Sequence, residues 1–314
     1  MNCQLIAFTG LLSLASVAAE SLAVEQFESI EETKGMDITQ FIDVLSTRVV
    51  HTSGMEFDGP TRGDADFTSA GVFALLGLNE FAPDWFWVPA FRYEYSDLDI
   101  NAAPFGANPA APALDNDLHR LSLQSFIINT PEDSKWMHGA YLMAGVNSDF
   151  AGVSSRDIDV AAAIGSGYRF TDRFMLGFGV FGSNLLNDPF IIPAAVFFWM
   201  PTDDWLVSYY GPRFVARREF GDNIRFGFEA GWNGGWWGID AFGSRSRLDV
   251  NSLRTGLYYR QRIAGEAWFE VGAGYTFLNE IQILSPGGRE NFPGVLGETD
   301  PAPYVSVGFS LRRW

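Results

Sequence analysis

Pro303-Tyr-Val-Ser-Val-Gly-Phe-Ser-Leu-Arg-Arg-Trp314 closes the chain, and its reading decides the fold. Val305, Val307, Phe309 and Leu311 alternate with Tyr304, Ser306, Gly308 and Ser310. A period of two places the first set on one face of a strand and the second set on the other. The apolar face is backed by a small, polar one, and the chain ends on the aromatic Trp314. A strand that closes a transmembrane β-barrel has this pattern, because lipid requires an apolar exterior and tolerates no open sheet edge. The edge strand of a soluble sandwich also alternates, so one strand does not choose between the two.

The region 251–278 carries the same pattern with charges. Leu253, Leu257, Tyr259 and Ile263, continued by Ala267, Phe269, Val271, Ala273, Tyr275 and Phe277, form an apolar face. Arg254, Arg260 and Arg262 share the other face with Glu266 and Glu270. In a barrel the first face meets lipid and the second a wet lumen, where opposite charges pair across strands. Leu253, Leu257, Phe269, Val271, Val305, Val307, Phe309 and Leu311 are therefore the expected lipid-facing residues. The expected lumen lining is Arg213, Arg217, Arg254, Arg260, Arg262, Glu266 and Glu270.

Composition points the same way. The chain is 47% hydrophobic and 15% aromatic, yet its apolar residues are dispersed in strand-length pieces. The most apolar later stretch, residues 190–199, is short for a membrane helix and holds Pro193. Trp85, Trp87, Trp136, Trp199, Trp205, Trp236, Trp237 and Trp314 fall near expected strand ends, where an aromatic girdle meets the headgroups; Trp232 and Trp268 fit that scheme less well.

Residues 1–19 hold no Asp, Glu, Lys or Arg, and Ser16-Val17-Ala18-Ala19 offers small residues for signal-peptidase cleavage after Ala19. The usual basic n-region is missing, so only the α-amino group is positive there. Cys3 is the single cysteine, and a processed chain would have none, which suits an oxidising compartment without a disulfide scaffold. The expected organisation is a signal peptide over 1–19, an acidic periplasmic lead-in over 20–41 and a barrel over 42–314. The net charge of −17 argues against nucleic acid as a partner.

The alternation predicts about fourteen strands: 42–51, 66–78, 85–96, 117–129, 135–148, 156–170, 173–183, 190–200, 204–217, 223–233, 235–243, 251–262, 266–278 and 303–314. Gly211-Pro212 offers a break in 204–217, and 223–243 also reads as one strand interrupted at Asn233-Gly234-Gly235. Twelve is the alternative count. Short connections at 79–84, 130–134, 170–173 and 263–265 read as periplasmic turns, and long ones at 51–64, 96–116, 148–155 and 279–302 as extracellular loops.

Gly167-Tyr-Arg-Phe-Thr-Asp-Arg173, Trp205-Leu-Val-Ser-Tyr-Tyr-Gly-Pro-Arg213 and the closing strand resemble an uncharacterised family of Gram-negative outer-membrane β-barrels. The resemblance covers roughly residues 40–314 and is one of pattern. It implies the fold and the compartment, and no activity. In most such barrels the lipid-facing residues are in phase with the terminal aromatic. Phe309 and Leu311 are out of phase with Trp314, so a bulge or late twist is expected there.

Other motifs are weak. Gly177-Phe-Gly-Val-Phe-Gly182 spells a dinucleotide fingerprint but lies inside an alternating strand without a helix to follow, so curvature is the better reading. His51-Thr52-Ser53-Gly54 resembles the arrangement of outer-membrane phospholipases, but no orienting partner is identifiable. His119 and His138 lack metal-ligand spacing. Asp64/Asp66, Asp97/Asp99, Asp115/Asp117 and Asp157/Asp159 could bridge lipopolysaccharide through a divalent cation, though solvated loop acids are the simpler reading. The chain has 19 Arg and 2 Lys. Arg213, Arg217, Arg254, Arg260 and Arg262 either build an anion-selecting strip or pair with acids to fill the lumen.

The functional expectation is a porin-like channel or transport barrel for small solutes. A structural or surface-binding barrel is the alternative, and a lipid-modifying enzyme a third class. No catalytic residue, cofactor or metal is expected. The expected partners are outer-membrane lipid, lipopolysaccharide, the barrel-assembly machinery and a small-solute ligand.

Overall fold

Apolar and polar residues alternate through almost every element, and the backbone answers with strands. The computed structural model describes residues 43–58, 63–102, 116–131, 133–184, 189–241, 244–284 and 291–312. The expected signal peptide, the lead-in and Trp314 lie outside them. In chain order the strands are β1 (Leu45–Glu56), β2 (Gly63–Leu75), β3 (Asn79–Ala82), β4 (Trp85–Ala102), β5 (Asn116–Asn129), β6 (Trp136–Ser148), β7 (Ile158–Thr171) and β8 (Phe174–Ser183). There follow β9 (Phe190–Trp199), β10 (Trp205–Tyr210), β11 (Arg213–Phe220), β12 (Ile224–Ala241), β13 (Ser244–Ala264), β14 (Ala267–Leu284), β15 (Asn291–Thr299) and β16 (Ala302–Leu311).

Fourteen of these strands form a closed antiparallel barrel. β1 pairs with β16 from Leu45↔Leu311 to Thr52↔Tyr304, and β16 pairs with β14 on its other edge. β3 and β15 stand off the ring, as extensions of β4 and β14. Closure leaves no strand edge at the seam, the requirement set by hydrocarbon. Val305 and Val307 are 57% and 50% exposed on the outside, whereas Ser306 and Tyr304 are 3% and 2% exposed.

The count of fourteen holds because two regions each take the alternative their sequence offered, and the two changes cancel. Residues 204–217 form two strands, because Gly211 takes a φ of +58° and the pair Gly211-Pro212 closes a tight hairpin. Residues 223–243 form one strand: Trp232 and Trp236 pair with Leu253 and Asp249 of the same neighbour, and Gly234 absorbs the irregularity at a φ of +132°. The expected loop at 279–302 is also largely sheet, since β14 runs to Leu284 and β15 folds back on it.

Strand reach divides the barrel into two arcs. With the barrel's two terminal strand ends placed on the periplasmic side, the short turns that join the strands share that side. The β10–β11 hairpin stops at Tyr210 and Arg213, which pair with Val196 of β9 and Gly231 of β12. β9 continues beyond Val196 to Phe190, and β12 beyond Gly231 to Ala241. The wall is therefore low at β10–β11 and high along β12–β14.

The high arc does not remain a simple wall. Above Gly234, β12 crosses to β6, where Gly238 and Ser148 form a parallel bridge. Asp149 N–H donates to the Gly238 carbonyl at 3.0 Å. Trp237, Ile239, Leu248, Val250, Ile281 and Ile283 then pack against Met55, Phe57, Ala65, Phe67, Leu98 and Leu118. This apolar core fills the extracellular half of the lumen. Close-packed side chains of this kind exclude water. Arg245 clasps the crossing to its far side, meeting Asp149 at 2.7 Å, Asp157 at 2.9 Å and Asp240 at 3.2 Å. Asp157 belongs to a single 3-10 turn, Ser155–Asp157, capped by Ser154. A second apolar cluster, Val44, Leu75, Leu78, Val88 and Ala90, lies toward the periplasm.

Candidate functional site

Between the two apolar clusters, the inner wall of β11–β14, β16 and β1 is charged. Inward positions repeat every second residue, so Arg213 of β11, Glu229 of β12, Arg254 of β13, Glu270 of β14 and Arg48 of β1 all point inward. Glu229 is gripped from both sides, by Arg48 at 2.5 Å and Arg213 at 2.6 Å. Arg48 also reaches Glu270 at 3.5 Å and donates to Ser306 Oγ at 3.2 Å. Arg260 pairs with Glu270 and meets Asp43 at 3.4 Å.

Toward the periplasm the ladder continues. Glu219 is held by Arg225 at 2.7 Å and Arg217 at 3.6 Å. Arg312 lies 3.4 Å from Asp43. The Arg225 guanidinium stacks 3.8 Å above the Trp268 ring, and Arg312 approaches the same ring at 5.8 Å. This explains Trp268, which fits no girdle: it faces inward as a platform for cations.

The wall carries an excess of positive charge. Arg48, Arg213, Arg217, Arg225, Arg254, Arg260 and Arg312 face Asp43, Glu219, Glu229 and Glu270, seven guanidinium groups against four carboxylates among the described residues. Arg254 has no ion pair among the described residues and rests 5.3 Å over the Tyr304 ring. Arg225 Nη1 is buried without a hydrogen-bond acceptor among the described residues, whereas Arg48 Nε and Arg312 Nε have only a carboxylate oxygen at 3.5 and 3.4 Å, outside hydrogen-bond geometry. Unsatisfied guanidinium donors in a partly desolvated wall favour an anion.

The facing wall, β7–β9, is rich in inward glycine and alanine, with the charged Asp159 and Arg169 toward the two ends of β7. Gly165 lies opposite Gly179, and Gly167 opposite Gly177. A Cβ on Gly179 would come within 2.4 Å of the Ile164 carbonyl oxygen, so the glycines allow close backbone approach inside a strand. The nucleotide reading of 177–182 thus falls in β8, with no helix after it among the described residues.

Each expected site residue has a place. Arg213, Arg217, Arg254, Arg260 and Glu270 share the inner wall described above. Arg262 and Glu266 pair at 2.7 Å, at the β13–β14 turn. The expected opposition of Arg254 to Glu266 and Glu270 is absent, because register places Thr276 beside Arg254. Leu257, Phe269, Val271, Val305 and Val307 are exposed on the outer face, and Leu253, Phe309 and Leu311 are half-buried there. Arg48, Glu229, Arg225 and Arg312 were not expected. Arg225 and Glu229 were legible as charges alternating with Phe226, Phe228 and Ala230.

The remaining motifs disperse. His51 faces outward and its Nδ1 hydrogen-bonds Thr68 Oγ1 at 2.9 Å. His138 does the same with Ser166 at 2.8 Å, and His119 with the Tyr93 hydroxyl at 2.9 Å. Asp66 accepts from Gly54 N–H, and Asp117 from the Tyr95 hydroxyl. No group of three His, Cys, Asp or Glu residues able to hold a metal occurs among the described residues.

Among solved structures, the chain is similar to the COG4313 outer membrane channel from Pseudomonas putida F1, at 9% identity over 86% of this chain and 96% of that one, with a TM-score of 0.41. It is similar to the Pseudomonas putida toluene transporter TodX at 8% identity over 90% and 93%, with a TM-score of 0.31. The β domain of the Bordetella autotransporter BrkA gives 10% identity over 86% and 99%, with a TM-score of 0.35. No curated protein matches the chain. Residues 88–312, most of the barrel, match the model of the domain of unknown function DUF6268, and the chain belongs to that family.

Proposed function

We propose that this barrel transports small solutes across the outer membrane of a Gram-negative bacterium, with an anion-favouring lumen. The observation that carries the reading is the inner wall, where seven guanidinium groups face four carboxylates across from a small-residue wall. A barrel of fourteen strands has room for a passage beside such a wall. The net charge of −17 does not oppose this, because local charge sets the lumen potential. The reading assigns the barrel no catalysis. It implies export through a signal peptide and the periplasm, insertion by the barrel-assembly machinery, and contact with lipid and lipopolysaccharide.

The extracellular core predicts a small axial conductance in a planar bilayer. Loosening the Arg245 clasp with Arg245→Ala should raise it. Reversal potentials under a KCl gradient should show anion preference, and Arg254→Glu with Arg213→Glu should shift it toward cations. A lack of conductance in both wild type and Arg245→Ala would reject the transport reading in favour of a structural or surface-binding barrel, which the filled extracellular half also suits. Conductance with cation preference would discard the role given to the arginines.

A further inference from the structure

The low arc has a consequence for the route. Above Tyr210, β9 has no strand partner on the β10 side among the described residues, and above Gly231, β12 has none on the β11 side until Gly238 meets Ser148. Only the hairpin tip reaches across, where Trp232 N–H donates to the Pro212 carbonyl at 3.0 Å. Three strand spacings separate β9 from β12, about 14 Å at ~4.8 Å each. The gap starts roughly halfway up the wall, since β10 holds only Trp205–Tyr210, about 20 Å of strand before tilt. It therefore opens at the depth of the outer leaflet, while the β12–β6 bridge and the apolar core close the top.

The two sides of this gap ask for different chemistry. Ile192, inward by register, is nonetheless 48% exposed, so open space lies beside it. Ala194 and Val196 continue that apolar inner face. Yet the edges of β9 and β12 carry backbone polar groups without strand partners, and each such group left dry in hydrocarbon costs several kcal/mol. Pro193 lowers the donor count on β9 by one. At the sill lie Arg213 and, one strand beyond β12, Arg254, the guanidinium with no ion pair among the described residues. An opening that is apolar, bordered by hydrogen-bonding backbone and floored by cations suits a molecule with both characters.

We propose that this gap is a lateral window through which a small amphipathic anion, an apolar body with one acidic head, passes between the lumen and the outer leaflet. The proposal rests on the transport reading for its lumen, but the window is tested separately from conductance.

The test uses single thiols in a Cys3→Ser background, each variant first shown to fold by heat-modifiable mobility. Val196→Cys probes the window, Val271→Cys the lipid-facing surface, and Met143→Cys the inner face of the unbroken β5–β7 wall. Each is labelled in liposomes by bilayer-dissolved N-dodecylmaleimide and by a charged, membrane-impermeant methanethiosulfonate. The lipid-to-water labelling ratio at position 196 should match position 271 and exceed position 143 by at least about tenfold, because a closed wall keeps hydrocarbon reagents out of the lumen. A ratio at 196 equal to that at 143 would overturn the window, even in a conducting protein. A high ratio in a non-conducting protein would keep the window and reject the pore. Sodium dodecanoate below its micellar concentration should slow aqueous labelling at 196, dodecyltrimethylammonium should not, and Arg254→Gln should remove the dodecanoate effect. Equal protection by the cation, or undiminished protection in Arg254→Gln, would overturn the anion assignment.

Discussion

The high arc and the low arc are built from the same alternation and end in opposite conditions. On β12–β14 the inward positions change from charged to apolar with height: Glu229 and Arg254 give way to Trp237, Ile239, Leu248 and Val250. That change lets the upper strands leave the wall and bury one another. On β8 and β9 the inward positions include Gly177, Gly179, Ala194 and Val196, too small to meet a partner across the lumen, beside the larger Phe181, Ile192 and Phe198. The low arc therefore remains a thin wall with space behind it. Side-chain size at inward positions, rather than hydrophobicity alone, decides which half of a barrel fills.

The largest expected effect tests that contrast directly. Trp237 is fully buried, packs on Phe67 with ring centroids 6.3 Å apart and lies 5.2 Å beneath the Arg120 guanidinium. Trp237→Ala should cost about 3–5 kcal/mol, the range for a large core aromatic. Ile192→Ala, on the inner face of the low arc, should change stability by about 0.5 kcal/mol or less, as at an exposed site. Urea unfolding midpoints in detergent micelles report both. Equal losses would mean that the low arc is packed too, and the contrast between the arcs would collapse.

Much of this fold was legible in the sequence, because barrel strands announce themselves by alternation and β16 does so without interruption. Turn chemistry misled where it depended on context. Asn233-Gly234-Gly235 carries the residues of a hairpin turn, but both flanks of it stay in register with β13, so the glycines serve a crossing instead. A Cβ on Gly235 would fall 1.5 Å from Arg120 Nη2, a contact between distant strands that no local pattern encodes. The charged wall was half legible for the same reason. Arg260 and Glu270 are neighbours on one hairpin, whereas Arg48 and Glu229 meet across the closed ring.

The clasp at Arg245 sharpens the comparison at an intermediate size. Its side chain is 17% exposed, and it holds Asp157, which is 2% exposed. Arg245→Ala leaves that carboxylate buried without its cation, a loss of about 1–3 kcal/mol. Hydrogen exchange at Gly238 and Asp149, whose backbone groups bridge β12 to β6, should accelerate. Arg218→Ala removes the matching pair of the low arc, Arg218–Asp204 at 2.8 Å, where both partners are about half exposed. That change should matter little, about 0–1 kcal/mol, as for other exposed pairs. Unchanged exchange in Arg245→Ala would show that apolar packing alone closes the high arc.

The smallest effect concerns the foot of the low arc. Asp204, in the turn before β10, accepts from the Thr202 hydroxyl and from Arg218 Nε. The Thr202 hydrogen bond, then the Arg218 contact, holds its carboxyl below the usual carboxylate range. A group whose folded pKa lies below its unfolded value stabilises the fold above the unfolded pKa, near ~3.9, and loses that contribution as pH falls through the folded pKa. Acidification from pH 6 to pH 3 should therefore lower the urea midpoint of the wild type slightly more than that of Asp204→Asn. Partial exposure and salt screening keep the difference small. The high arc predicts no such dependence on Asp204, because its packing is apolar and distant from the turn. If Asp204→Asn instead slowed exchange at Gly238, the two arcs would be coupled through the barrel, and their treatment as separate regions would fail.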